Sequence, residues 1–230
     1  MREIIVDTET TGLDPADGHR IIEIGCVELY DHLPTGRNFQ RYLNPERPVP
    51  PDSQRIHGID DAFLADKPFF AHVADEMLEF FGDAPLVIHN AGFDLKFLNS
   101  ELHRIGRSPI PYSRAVDTIE IAKAKIPGAR YSLDELCKRF GIDLSVRTKH
   151  GALLDAELTA RVYLELVGGR QTHLKLAPRD GEVAIETVVQ VVRARPRPLA
   201  SPSTAEELDA HARFVAGELG ADAVWNWGTS

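Results

Sequence analysis

The spacing of the apolar residues changes along the chain, and this change restricts the fold more than any other feature. Residues 3–7 and 21–29 are apolar runs and residues 38–43 alternate more weakly, which is typical of three strands joined by short polar turns. From about residue 66 the apolar residues recur at helical spacing. The sequence therefore predicts an α/β fold, with a mixed sheet that begins antiparallel and is flanked by helices.

The second half of the folded body contains most of the predicted helices. Ser132 begins a capping pattern, Ser-Leu-Asp-Glu, and Gly141 follows the predicted end of the same helix. The longest helix has leucine or valine at every fourth position from Leu154 to Leu166. The predicted elements are a helix over residues 66–82, a strand over 86–88, and helices over 93–105, 132–140 and 152–167.

The character of the chain changes after Gly169, which predicts a linker and a separate tail. The stretch Arg193–Ser203 contains three prolines and no acidic residue, as extended linkers do. Thr204-Ala-Glu-Glu207 then begins a helix that is predicted to reach about Leu219. We expect three regions: a folded domain over 1–170, a linker region over 171–203 and a C-terminal tail over 204–230.

Composition and charge exclude several classes of protein. The net charge of −9 argues against a broad basic face for duplex DNA, although it allows contact with a few nucleotides through metal ions. No apolar run approaches the roughly 20 residues that cross a bilayer, and the first twenty residues are too charged for a signal peptide. With only Cys26 and Cys137, we expect a cytoplasmic protein with reduced thiols and no membrane contact.

Two carboxylates close the first predicted strand. Asp7 and Glu9 flank Thr8, and residues two apart in a strand point to the same face. Two neighbouring carboxylates favour a hard cation such as Mg²⁺ or Mn²⁺, and the lack of a Cys/His cluster argues against structural zinc. The alternative is an acidic strand end that faces solvent.

Two further acidic residues, Asp94 and Asp155, lie near the starts of predicted helices. Asp94 follows the strand 86–88 at a strand-to-helix junction, where a capping role is the alternative. His150 and Asp155 are five residues apart, which would place them roughly 140° apart if both were helical. We therefore predict His150 in the loop before the helix, where its imidazole can act as a general base beside a metal ligand. Any single histidine can equally be a surface residue.

Three motifs in order resemble the DEDDh exonucleases, a family with the RNase H-like fold. The first is Val6-Asp7-Thr8-Glu9-Thr10-Thr11-Gly12-Leu13, the second is His89-Asn90-Ala91-Gly92-Phe93-Asp94, and the third is His150 followed after four residues by Asp155. The resemblance covers about residues 2–170 and is closest to proofreading subunits of bacterial replicative polymerases. It implies an RNase H-like exonuclease domain with a C-terminal linker and tail helix.

The resemblance also implies a mechanism and a set of site residues. Asp7, Glu9, Asp94 and Asp155 would hold two Mg²⁺ or Mn²⁺ ions around one phosphodiester, and His150 would take the proton of the attacking water. The substrate would be a single-stranded or frayed DNA 3′ end. The residues that the resemblance places near the terminal nucleotide, some of which are as easily packing residues, are Thr10, Leu13, Asp52, His57 and Phe93.

Two segments of the tail suggest protein partners. Gln171–Leu176 resembles the glutamine-anchored peptides that bind bacterial sliding clamps, and a plain linker is the alternative. Thr204–Trp227 resembles a tail that binds the polymerase subunit, with Trp225 and Trp227 as interface anchors. A tail that folds back on its own domain is the alternative.

Three other functions are alternatives to a DNA exonuclease, and the sequence argues against some of them. An RNA-trimming exonuclease would have the same site, because contacts to the 2′ hydroxyl cannot be located from the sequence. An aspartyl phosphatase would explain Asp7 but would require Asp at position 9 and would leave His150 and Asp155 without a role. A binding module without activity conflicts with the complete set of metal-binding positions.

Overall fold

The structure is a computed structural model that describes residues 1–145, 147, 149–168 and 204–219. The chain divides into two compact units, Met1–Lys175 and Leu176–Ser230. The first unit contains one five-stranded sheet with helices against it. Its strands are β1 (Arg2–Thr10), β2 (Ile21–Tyr30), β3 (Leu33–Tyr42), β4 (Leu86–Ile88) and β5 (Ala115–Asp117).

The sheet is mixed, as the change of apolar spacing predicts. Its strand order is β3-β2-β1-β4-β5, with β1 antiparallel to β2, β2 antiparallel to β3, and β1, β4 and β5 parallel to one another. The predicted antiparallel start is therefore confirmed. Because β1 and β4 are parallel neighbours, the residues that follow their carboxyl ends meet at the same end of the sheet.

The four helices predicted between residues 66 and 167 are all present. The sequence interpretation missed two short helices after β3, because they are too short to show a helical period, and also missed β5 and the helix after it. The helices of the first unit are α1 (Pro51–His57), α2 (Asp61–Leu64), α3 (Phe70–Phe81), α4 (Ala91–Arg104), α5 (Thr118–Lys125), α6 (Leu133–Arg139) and α7 (Ala152–Val167).

The alternation of side chains along β1 decides which helix each residue faces. Ile4 and Val6 belong to the hydrophobic core that includes buried residues of α3 and α4. Ile5, between them, belongs to a second core that contains Ala156 and Tyr163 of α7. The odd-numbered residues of β1, like Ile5, therefore point to the α7 side of the sheet.

A glycine in β2 lets α7 approach the sheet closely. A Cβ atom on Gly25 would lie 2.2 Å from the backbone nitrogen of Leu153, so only glycine fits against the first turn of α7. Gly25 pairs with Asp7 across the strands. The buried carboxylate of Glu23 accepts a hydrogen bond from the Ala152 N–H at 3.1 Å and so caps the same helix. These contacts hold the start of α7 beside the acidic end of β1.

The described part of the second unit is one helix, α8 (Ala205–Phe214), which continues as a wider turn over Val215–Leu219. The predicted capping box is confirmed, because Thr204 and Glu207 bond reciprocally. Leu208 and Phe214 are exposed on this helix. The clamp-like segment 171–176, the linker 193–203, Trp225 and Trp227 lie outside the described residues.

Cys26 and Cys137 are buried, free thiols. Among the helices that the structure describes, none has the length and apolar character needed to cross a membrane.

Candidate active site

Three elements of the first unit bring the four predicted carboxylates to one end of the sheet. Asp7 and Glu9 lie two and four residues after Ile5, on the same face of β1, and therefore point toward α7. Asp155 lies in the first turn of α7 and Asp94 in the first turn of α4, and each is 3% exposed. Asp7, Asp155 and His150 line an open cleft of about 580 Å³.

Asp94 is fixed by its neighbours on both sides. The hydroxyl of Thr8 donates a 2.7 Å hydrogen bond to Asp94 Oδ1. The start of α4 is held by Asp117, at the end of β5, which accepts a hydrogen bond from the Ala91 N–H at 3.0 Å. The unpredicted strand β5 therefore helps to position a predicted site residue.

His150 lies in the loop directly before α7, as its spacing from Asp155 predicts. Its backbone N–H donates a 3.3 Å hydrogen bond to the Ile56 carbonyl, which ties the loop to α1. Candidate ligand atoms of Glu9, His150 and Asp155 all lie within 4.8 Å of one another. The His150 side chain is 48% exposed, so a water molecule in the cleft can reach it.

Arg147 is a site residue that the sequence interpretation missed. Its guanidinium donates from Nε to Asp155 Oδ1 at 2.6 Å and from Nη2 to Asp155 Oδ2 at 2.7 Å. Nη1 donates to Asp134 Oδ1 at 2.5 Å. Arg147 lies in an irregular loop between α6 and α7, where apolar spacing carries no information about side-chain direction. A basic residue three positions before His150 is the one signal that was available.

The pKa values of three carboxyl groups are raised, mainly because the groups are buried and further because negative charges lie near them. Burial and then the neighbouring Asp155, Glu23 and Asp94 raise the pKa of Glu9 to about 8. Burial raises the pKa of Asp94 to about 7, against the hydrogen bond from Thr8, and burial with the nearby carboxylates raises that of Asp7 as well. A divalent cation would favour the ionised form of all three.

Asp155 differs from the other carboxylates. Burial alone would raise the pKa of Asp155, but the hydrogen bonds and the positive charge of Arg147 outweigh it and lower the pKa below its ordinary value. The site therefore combines one stably ionised carboxylate with three that resist ionisation. A set of four carboxylates with an adjacent imidazole, arranged in this way, fits hard divalent cations.

We expect the raised pKa of Glu9 to appear as a pH dependence of stability. Between pH 4.5 and about 8 the unfolded chain is ionised at this position while the folded chain is protonated, so the free energy of unfolding falls as the pH rises. The fall, on the order of a few kcal/mol, should be measurable by thermal unfolding in EDTA. Glu9→Gln should flatten the profile. An unchanged slope in that variant would contradict the assignment of the shift to Glu9.

Of the predicted substrate residues, Thr10 and Leu13 belong to the first motif and Phe93 to the second, while Asp52 and His57 lie on α1. Leu13 is 83% exposed in the turn after β1, and the Thr10 hydroxyl donates a 2.6 Å hydrogen bond to the Gly12 carbonyl within that turn. Phe93 is half-buried at the start of α4 against Phe97. Asp52 is exposed on α1, where it forms an ion pair with Arg55. Thr10 is thus engaged in shaping the turn, while Leu13 offers a free apolar surface.

His57 is buried at the end of α1 and is held in one tautomer. Its Nδ1 accepts a 3.0 Å hydrogen bond from the Ile59 N–H, so the ring proton is on Nε2. Nε2 is buried and has no hydrogen-bond partner among the described residues. Burial, followed by His150 and Lys149, lowers the pKa of His57 to about 4, so the ring is a neutral donor at pH 7.

The RNase T exonuclease family model matches residues 4–163. The match covers all four carboxylates of the site, and the fold and site define a 3′–5′ exonuclease of the DEDDh class. The DNA polymerase III epsilon subunit of Rickettsia felis is 49% identical over 95% of this chain and 97% of its own length. That of Escherichia coli is 44% identical over 91% and 90%. The chain belongs to the DNA polymerase III epsilon subunits, the proofreading 3′–5′ exonucleases of bacterial replication.

Solved structures agree on the fold. Exonuclease X, in a complex with 5′ overhanging duplex DNA, is 29% identical with a TM-score of 0.56 over 71% of this chain and 90% of that one. The nuclease domain of 3′hExo, a DEDDh family member bound to rAMP, has a TM-score of 0.63 over 72% and 91%, at 22% identity. The predicted RNase H-like fold is therefore confirmed.

Proposed function

We propose that Asp7, Glu9, Asp94 and Asp155 hold two divalent cations, Mg²⁺ or Mn²⁺, and that the chain removes mispaired nucleotides from DNA 3′ ends with them. The observation that carries this proposal is the convergence of these carboxylates at one end of the sheet, with raised pKa values in Asp7, Glu9 and Asp94. Such a cluster is unfavourable alone and becomes favourable around cations. Members of the DEDDh class generally use two divalent ions.

The reaction is the hydrolysis of the last phosphodiester of the strand. When bound, the two cations supply positive charge that stabilises the phosphate under attack and the leaving 3′ oxygen. His150 takes one proton from the water whose oxygen forms the new bond to phosphorus. The bond from phosphorus to the upstream 3′ oxygen breaks, and that oxygen gains a proton from solvent. The product is a nucleoside 5′-monophosphate.

The terminal nucleotide is proposed to lie against residues on the α1 and α4 side of the site. Leu13 and Phe93 would contact the terminal base and sugar through their apolar surfaces. The unpaired Nε2–H of His57 would donate to a polar atom of the nucleotide, which would satisfy a donor that is otherwise costly to bury. Thr10 acts through the turn that presents Leu13, and Asp52 is proposed to lie at the edge of this substrate surface.

DNA is the proposed substrate because the relatives at 44–49% identity are subunits of a DNA polymerase. The RNA-trimming alternative is tested directly with two 3′-labelled substrates of the same sequence, one a mispaired DNA primer-template and the other an RNA strand, in Mg²⁺. We expect faster release of the 5′-monophosphate from DNA, and faster release from a mispaired than from a paired terminus. Equal or faster degradation of the RNA would contradict the proposal.

Membership of an exonuclease family leaves the aspartyl phosphatase alternative without support.

Two partners are proposed for the C-terminal part of the chain. Thr204–Trp227 would bind the alpha subunit of DNA polymerase III, which is supported by the exposed Leu208 and Phe214 on α8 and by similarity to epsilon subunits over 95% of the chain. Gln171–Leu176 would bind the sliding clamp through a weak tether that raises local concentration. We propose the boundaries 1–170, 171–203 and 204–230 for these roles.

A further inference from the structure

The contacts of Arg147 reach beyond a simple ion pair. The side chain is only 9% exposed, and its guanidinium occupies both carboxylate oxygens of Asp155, at 2.6 and 2.7 Å. The third guanidinium nitrogen, Nη1, donates to Asp134 Oδ1 at 2.5 Å. A bidentate pair of this kind places the guanidinium charge beside both oxygens of Asp155, although each oxygen keeps a second lone pair. Arg147 therefore repels a divalent cation that binds Asp155, and binding of the cation favours withdrawal of the guanidinium.

The same guanidinium also engages the proposed base. Nη2 of Arg147 lies 2.8 Å from Nδ1 of His150, closer than Asp155 Oδ2 at 3.2 Å. Guanidinium nitrogens only donate, so Nδ1 accepts and the proton of the neutral ring is on Nε2. In this arrangement neither nitrogen of His150 can accept a proton from water. Arg147 must leave Nδ1 before His150 can act as a base.

Asp134 gives the displaced guanidinium a second position. It lies in the first turn of α6 at the edge of the cleft, and its side chain is 48% exposed. Its contact is to Nη1, the nitrogen that does not touch Asp155 or His150. Arg147 can therefore release Asp155 and His150 while keeping its bond to Asp134.

We propose that Arg147 is a positioning residue, an internal cation that holds Asp155 and His150 until a divalent cation displaces it toward Asp134. The inference rests on the proposed metal site. It couples the two events that the reaction needs, because the same displacement frees a metal ligand and the acceptor nitrogen of the base. The cost of displacing Arg147 lowers the apparent affinity for the cation by the fraction of molecules in which Asp155 is free.

The test is the affinity of the full chain for Mn²⁺, measured by calorimetry without substrate. Arg147→Gln should bind Mn²⁺ about tenfold more tightly if about one molecule in ten has Asp155 free. Asp134→Asn should bind more weakly than the unmodified chain, because the displaced guanidinium loses its second position. The double variant should behave like Arg147→Gln, since Asp134 acts only through Arg147.

Lys149→Gln is the matched control, because it removes a positive charge from the same loop without contact to Asp155. It should leave the Mn²⁺ affinity nearly unchanged. An equal gain in Lys149→Gln would show a general charge effect, and a loss of affinity in Arg147→Gln would show that Arg147 supports the metal site; either result overturns the inference. If the unmodified chain fails to bind Mn²⁺, the proposed function fails with it.

A spectroscopic readout covers the case in which Arg147→Gln is poorly folded. The ¹⁵N shifts of the His150 ring, recorded in the unmodified chain with EDTA, should show an accepting Nδ1 and a protonated Nε2. Saturating Mg²⁺ should change this pattern as Arg147 withdraws, and the change should require more Mg²⁺ in Asp134→Asn. The inference is overturned by a His150 signal that does not respond to Mg²⁺ while Mg²⁺ binds.

Discussion

Asp7→Asn should lower kcat on single-stranded DNA by about a thousandfold or more, because residues that hold one metal centre act as a unit. The chain should nevertheless remain folded. Burial and the neighbouring carboxylates raise the pKa of Asp7, so its ionised form is disfavoured in the folded state. Its removal should therefore raise the unfolding temperature in EDTA.

Asp155→Asn should lose activity to the same extent but should not gain stability. Asp155 is the ion-pair partner of the buried Arg147, and its replacement leaves that guanidinium with Asp134 as its one remaining carboxylate contact among the described residues. Asp17→Asn, at an exposed position in the turn after β1, is the control for the loss of one negative charge. Initial rates and thermal unfolding in EDTA would be measured for all three. Activity of Asp7→Asn within about tenfold of the unmodified chain would contradict its assignment as a ligand.

The carboxylates could be predicted from the sequence because each is adjacent to a regular element. Asp7 and Glu9 follow from the two-residue period of a strand, and Asp155 follows from the start of a long amphipathic helix. The position of His150 before that helix follows from the angle between residues five apart. Regular geometry converts spacing in the sequence into direction in space, and these residues lie where that geometry is reliable.

The contacts that complete the site could not be predicted in this way. Arg147 lies in a loop whose path is set by side-chain contacts to Asp134 on α6 and Asp155 on α7, the helices that precede and follow the loop. The role of Gly25 depends on the approach of α7 to β2, which is visible only after both elements are packed. A strand as short as β5 has too few residues to show a period, so the sequence does not reveal Asp117 at its end, which accepts a hydrogen bond from the first residue of α4.

Removal of the C-terminal part should separate the two proposed activities of the chain. A chain that ends at residue 190 should keep its exonuclease activity on short single strands, because the last residue of the proposed site is Asp155 and α7 ends at Val167. The same chain should no longer bind the polymerase alpha subunit. Exonuclease rates and a pull-down of purified alpha subunit would be measured for the full and shortened chains.

A single substitution refines this expectation to one anchor. Trp225→Ala should weaken alpha-subunit binding by the ~2 kcal/mol or more that a buried aromatic anchor contributes, which is about thirtyfold in Kd. Nuclease kinetics should not change, because no proposed site residue lies after Asp155. Asn226→Ala, which removes a polar side chain between Trp225 and Trp227, is the matched control. Retention of alpha subunit by the shortened chain would show that the binding surface lies within residues 1–190. Loss of nuclease activity in the shortened chain would show that the removed segment supports the catalytic unit. Either result would contradict the proposed role of the tail as a separate polymerase-binding segment.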